Sequence, residues 1–260
     1  MIKLDVVLLA GGRLSPDDPL NTECQEGVRS LINIHGKPMV QWVIDALAVC
    51  DATRDIYIIG LSQEHNLTAS KPLHFLPDEG HLFDNIRAGA LRAAQDHPSQ
   101  PKVMIASSDI PAIRAEVVNW LAEQVAQDPT ALIYYCVIPQ SVMDARYPDS
   151  GRTYVRFSDI SVCGGDLSVI DHNLFSEEKP IWKQITDARK HPLKQVRLLG
   201  LGSLILIALH LLTLDRAVGM VCKKLSLDAR ALITPFAEMG MDADKPNQLA
   251  ILRGDLESSL

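Results

Sequence analysis

Apolar residues fall in short unbroken runs, separated by stretches in which they recur every three or four positions. Val6-Val7-Leu8-Leu9, Ile56-Tyr57-Ile58-Ile59, Val103-Met104-Ile105-Ala106 and the stretch 131–138 read as strands buried on both faces, with a shorter one at 72–76. Between them, Val40, Val43, Ile44 and Leu47 line one face of a helix that Pro38 opens, and Leu82, Ile86 and Ala90 line another. A third helix is expected over 112–127. This β-α-β-α alternation predicts an α/β protein whose parallel sheet is covered on both faces, with the 6–9 strand at its centre.

The rhythm changes after residue 140. Residues 152–157 alternate as an exposed edge strand does, and 163–170 read as a turn entering a further strand. Helices are expected over 177–224. Within them, 198–214 is a 17-residue run without charge; as a helix it would be about 25 Å long, short of the roughly 30 Å hydrocarbon core of a bilayer. It is read as a core helix, a homodimer interface, an apolar wall for an amphiphilic acceptor or a site of peripheral membrane contact, but not as a membrane span. Asp242 and Asp244 alternate on a short strand, and Pro246 starts a final helix. The expected divisions are an α/β core (1–140), a pair of further strands (141–176), a helical apolar insertion (177–228), and a strand and helix that complete the core (229–260).

A formal net charge of -7 argues against nucleic acid as a partner. The 5 scattered cysteines fit reduced thiols better than a disulfide framework or structural zinc. The first residues read directly as a strand, without the features of a signal peptide, so a cytoplasmic location is expected.

The candidate chemistry starts at the end of the first strand. Gly11 and Gly12 lack Cβ atoms, so a ligand can approach their backbone, and Arg13 adds a charge suited to a polyphosphate. A tight turn without a ligand would show the same pattern. No Gly-Lys-Ser/Thr follows, as a Walker A loop requires, and no third glycine enters a helix directly, as in the dinucleotide fingerprint. The following segment, 14–27, is a long polar loop of the functional kind. Asp109 follows the 103–106 strand at its carboxyl end, where open parallel sheets bind ligands, and is placed either to hold a metal ion or to cap the next helix. Arg29 and Lys37 bracket an extended run that turns at Gly36. Gly80 and Asn85 stand at the head of the second helix.

Taken together, Leu9-Ala10-Gly11-Gly12-Arg13, Ile34-His35-Gly36-Lys37-Pro38-Met39, Ser108-Asp109-Ile110-Pro111 and 241–249 resemble, in order, the motifs of the MobA-like nucleotidyltransferases. The resemblance covers the N-terminal half and the C-terminal tail. It implies a Rossmann-like, three-layer αβα fold of the nucleotide-diphospho-sugar transferase (GT-A) type, a nucleoside triphosphate substrate and Mg²⁺. Carried over, Leu9, Ala10, Gly11, Gly12, Arg13 and Lys37 would hold the triphosphate, Gly80 and Asn85 would lie near the base, and Asp109 and Asp244 would ligate magnesium. Arg13, Arg29, Asp109 and Asp244 form the implied catalytic set. Two departures stand out: the family's Arg-Met-Gly after the glycine turn is missing, and Arg29 replaces the lysine expected seven residues before the Gly-x-Pro turn.

The implied reaction transfers a nucleoside monophosphate from the triphosphate to a phosphate-bearing acceptor and releases pyrophosphate; Arg152 and Arg156 are the candidates for the acceptor phosphate. Competing readings are a GT-A glycosyltransferase that uses a nucleotide-sugar and a degenerate homologue that only binds nucleotide or a partner.

Overall fold

The computed structural model describes residues 2–24, 26–175 and 211–257. Strand β1 (Leu4–Leu9) lies inside an eight-stranded sheet with β4 (Thr53–Ile59), β5 (Leu73–Leu76), β6 (Lys102–Ser107), β7 (Ile133–Pro139), β8 (Val155–Arg156), β9 (Ser161–Asp171) and β10 (Ala229–Ile233). The order is β10-β7-β9-β6-β1-β4-β5, with β8 paired to β9. Both neighbours of β1 run parallel to it, and β5 and β10 are likewise parallel to β4 and β7. A two-stranded hairpin, β2 (Asn33–Ile34) with β3 (Lys37–Pro38), stands apart.

The two faces of β1 explain its unbroken apolar run. Leu4, Val6 and Leu8 belong to a core shared with α1 (Met39–Ala48), α3 (Ala115–Gln127) and α6 (Pro246–Glu257). Val7 joins Tyr57, Ile59, Val103 and Ile105 in a second core under α2 (Leu82–Asp96). A strand covered by helices on both sides has no position for a polar residue in its middle. Helices α4 (Gln140–Arg146) and α5 (Leu214–Leu225) complete the set among the described residues. This is the three-layer αβα architecture with a mostly parallel sheet.

Several local expectations are corrected. The extended run before Gly36 is a 3-10 turn, Arg29–Leu31, followed by the hairpin, in which Gly36 takes a φ of 89°. The 163–170 stretch does not turn at its glycines. It belongs to one long strand, β9, inserted antiparallel between β6 and β7, where the side chains of Tyr135 and Ile138 take up the space over Gly164 and Gly165. Of 152–157, only Val155–Arg156 is strand, because Arg152 turns inward to Asp242. Met241–Lys245 is irregular after a 3-10 turn at Ala237–Gly240, so Asp242 is buried while Asp244 is exposed. The expected helices over 177–210, and all but the last residues of the 198–214 run, lie outside the described residues. At the end of that run Leu212 and Leu214 are buried, and the Leu212 carbonyl accepts a hydrogen bond from the Ser158 N–H at 2.8 Å.

Lys102 opens β6 as a buried cation. Its ammonium lies 3.0 Å from Asp171 at the end of β9, donates to the Ala131 carbonyl, and sits 5.5 Å from the Tyr134 ring centroid. Removing one partner of such a pair strands the other charge in the interior. Lys102→Met is expected to destabilise the protein by about 3–5 kcal/mol, and adding Asp171→Leu to recover most of that loss. Urea unfolding of the single and double variants checks this; additive losses would refute the coupling.

Candidate active site

The carboxyl ends of β1, β4 and β6 converge on the glycine turn. Pairing continues past β1, with the Ala10 N–H donating to the Ile59 carbonyl at 2.9 Å and Ser108 N–H to the Leu9 carbonyl at 3.2 Å. Gly60, at φ 93°, crosses so close to the turn that a Cβ there would lie 2.2 Å from Gly11 Cα. Only glycine combines that conformation with that approach. On the other side, the Ser30 hydroxyl donates to the Ala10 carbonyl at 2.7 Å, Arg29 N–H donates to the Gly12 carbonyl at 3.0 Å, and Arg13 bridges Val28. The turn is therefore held from both flanks, with Arg13 exposed beside it and in no ion pair among the described residues.

Asp78 links the turn to the head of α2. A Cβ on Gly11 would lie 2.9 Å from its Oδ2, while Oδ1 accepts from Gly80 N–H at 2.8 Å and from the Asn85 amide at 2.9 Å. Asn85 in turn accepts from Glu79 N–H at 2.7 Å. Gly80 and Asn85 are thus brought to the glycine turn through a carboxylate that sequence reasoning passed over; an Asp two residues before a glycine, the Asx-turn pattern, was the available signal. Gly60 and Asp78 also line a cleft of about 740 Å³, with Leu61, His65, Phe75 and Pro77.

Asp109 and Asp244 meet on the β6 side. Asp109 lies just past the end of β6, oriented by the Ser107 hydroxyl, which donates to its Oδ1 at 2.6 Å. The Ala243 N–H donates to the Asp109 carbonyl at 2.9 Å, and this backbone bond seats the C-terminal segment, Asp244 included, against β6. The Arg29 guanidinium hydrogen-bonds Asp244 and lies 3.7 Å from Asp109 and 3.8 Å from Asp18. Burial pushes the Asp109 carboxyl above its ordinary range, and the Asp244 charge adds to this, against the Ser107 hydroxyl and Arg29. Burial likewise raises Asp242, where Arg152 opposes the charges of Asp244 and Asp109. Three carboxylates in mutual repulsion face two arginines, and oxygen donors of this kind suit a hard divalent cation.

Two expected participants are engaged elsewhere. The Lys37 ammonium pairs with Asp45 at 2.5 Å and lies 3.6 Å over the Trp42 ring, in a cavity shared with Arg114, Arg146 and Glu238. Its place on β3, pointing at α1, gives it those partners instead of the glycine turn. Arg152 is held by Asp242 and donates to the Gly164 carbonyl at 3.0 Å, so it is a structural cation and not a free acceptor-binding group. Arg156 is exposed on β8.

Comparison with known proteins identifies the family and the fold. The sequence matches the MobA-like NTP transferase domain over residues 6–176. No curated protein matches. Among solved structures, one described as a hypothetical transferase from Thermus thermophilus is 28% identical, with a TM-score of 0.81, 95% of this chain covered and 100% of that one. CMP:2-keto-3-deoxy-manno-octonic acid synthetase complexed with CTP is 12% identical with a TM-score of 0.61, each chain covered over 100% of its length. For a 4-diphosphocytidyl-2C-methyl-D-erythritol synthase the identity is 10% and the TM-score 0.58, over 98% of this chain and 99% of that one; these last two likenesses are of fold. With the glycine turn, Asp109 and the sheet that joins them inside the matched region, the chain belongs to the MobA-like NTP transferase family.

Proposed function

We propose that this protein transfers a nucleoside monophosphate from a nucleoside triphosphate to a phosphate-bearing acceptor and releases pyrophosphate. The observation that carries this reading is the meeting of Asp109, Asp244 and Arg29 at the carboxyl ends of the strands beside the glycine turn. An oxygen of the acceptor phosphate attacks the α-phosphorus; as that P–O bond forms, the bond to the bridging oxygen breaks and pyrophosphate leaves with the electron pair. The attacking oxygen is already anionic, so no general base is needed. Catalysis is alignment and charge neutralisation.

In this reading the N–H groups of Gly11 and Gly12 and the Arg13 guanidinium receive the triphosphate. The base enters the cleft lined by Gly60, His65 and Asp78, beside the Gly80–Asn85 helix head. Arg29 neutralises phosphate charge in the family's lysine position, with a planar fork of donors instead of a point charge. Asp109 and Asp244 would hold Mg²⁺, which when bound supplies positive charge across the reacting phosphates. Arg156 is the remaining arginine for the acceptor, and the apolar 198–214 stretch makes an amphiphilic acceptor phosphate the first class to screen.

The test is thermal unfolding with Mg²⁺ and each of ATP, GTP, CTP and UTP, followed by pyrophosphate release with candidate acceptors. A nucleotide held at 100 times its dissociation constant adds about 2.7 kcal/mol, which raises the melting temperature by roughly 5–10 °C in a chain of this size. One nucleotide should show that rise, and only with metal. Absence of a rise with all four overturns the proposal.

A further inference from the structure

A second polar cluster occupies the other end of the sheet. Asp5 near the start of β1, Asp55 on β4 and His97 at the carboxyl end of α2 bring their ligating atoms within 4.8 Å of one another. It is distinct from the Asp109–Asp244 site, because β1 separates the two by about five residues of strand, roughly 17 Å.

Asp5 is 1% exposed, and its Oδ1 makes no hydrogen bond of ordinary geometry among the described residues, the Asp55 backbone N–H being only a weak donor to the carboxyl. A buried carboxylate oxygen left so is rare in native proteins and calls for a partner. Its Oδ2 lies 3.1 Å from His97 Nδ1 and 3.6 Å from the Arg54 guanidinium. Asp55 Oδ2 lies 2.8 Å from His74 Nε2, and the His74 ring is stacked on Tyr57 at 4.6 Å. That arrangement orients Asp55 through one oxygen and leaves the other for a ligand, as the outer partners of metal-bound carboxylates do.

We infer that Asp5, Asp55 and His97 form a binding site for a divalent first-row transition metal of the zinc class. One imidazole with two carboxylates suits Zn²⁺ or Co²⁺ better than Mg²⁺, which prefers an all-oxygen shell. Ligand atoms about 3.4 Å apart are needed for tetrahedral bonds of about 2.1 Å; Asp5 and His97, at 3.1 Å, are already near that spacing, and the Asp55 carboxylate lies within 4.8 Å of both. Arg54, partly exposed, swings to solvent as the cation enters, and a water completes the shell. The bound metal pins the carboxyl end of α2 to β1 and β4, while the amino end of that helix carries Gly80 and Asn85.

The experiment is titration of the purified full-length protein with Co²⁺, read by visible d–d absorption and by equilibrium dialysis. Wild type and the Asp109→Asn/Asp244→Asn variant should both show a band without thiolate-to-metal charge transfer, and the double variant should bind one equivalent. His97→Gln or Asp55→Asn added to that variant should weaken binding more than about 100-fold, since even an outer partner is worth 10–100-fold. Absence of saturable binding in the double variant, a band that survives His97→Gln, or a band with thiolate charge transfer overturns the assignment. His97 lies at a helix end and is partly exposed, so the His97→Gln protein is expected to fold, and its metal-free melting curve verifies that.

Discussion

Replacing Asp109 with asparagine is expected to abolish Mg²⁺-dependent stabilisation by nucleotide and to lower nucleotidyl transfer by about 10²–10³-fold, a loss of roughly 3–4 kcal/mol of transition-state stabilisation. The fold should survive. Asparagine is isosteric, still accepts the Ser107 hydroxyl, and leaves the backbone bond from Ala243 in place. Because burial and Asp244 both penalise the Asp109 charge, the ligand-free variant should be at least as stable as the parent. Loss of the nucleotide response together with an unchanged or raised ligand-free melting temperature is a pattern that general misfolding does not give. Transfer activity within tenfold of wild type would remove Asp109 from the site.

Gly60→Ala should be the most damaging single-methyl change at this end of the sheet. The new Cβ would lie 2.2 Å from Gly11 Cα and 2.7 Å from Gly11 N, at a φ of 93° that an L side chain rarely adopts. Both obstacles are backbone, so relief requires moving the glycine turn. We expect a loss of about 4 kcal/mol, near 10 °C in melting temperature, with weakened nucleotide binding. Gly27→Ala is the control. Its φ of 68° carries the left-handed strain alone, with open space around the added methyl, and should cost only about 1–2 kcal/mol. Equal losses at the two positions would mean that the crossing of Gly60 over Gly11 does not hold the turn.

Much of the sheet was legible because its strands are short apolar runs with little competing pattern. β1, β4 and β6 each bury residues on both faces, so local composition already says what they are, whereas β7 buries Tyr134, Cys136 and Ile138 on one face and leaves Tyr135 exposed on the other. β9 was harder to place. Its antiparallel position between β6 and β7 depends on pairings with segments far away in the chain, and its two glycines look like a turn until Tyr135 and Ile138 are seen to fill the space above them. The same limit applied to Asp242 and Asp244, whose alternation suggests one shared face but whose strand is not formed, because Met241–Lys245 pairs with no strand among the described residues.

By itself the sequence determined the layers and the chemistry on offer: unbroken apolar strands require helices on both faces, a glycine turn ends the first strand, and an aspartate follows the carboxyl end of another. Those are local properties, set by side-chain volume, hydration and backbone freedom within a few residues. Which charged groups meet was decided only by tertiary structure. Arg29 reaches both Asp109 and Asp244, Asp242 takes Arg152, Lys37 goes to Asp45, Asp78 joins the glycine turn to α2, and Asp5 finds His97 at the other end of the sheet. Charge pairing acts over a few ångströms in space and leaves no periodicity in the chain, so these partners emerge only once the strands are in register.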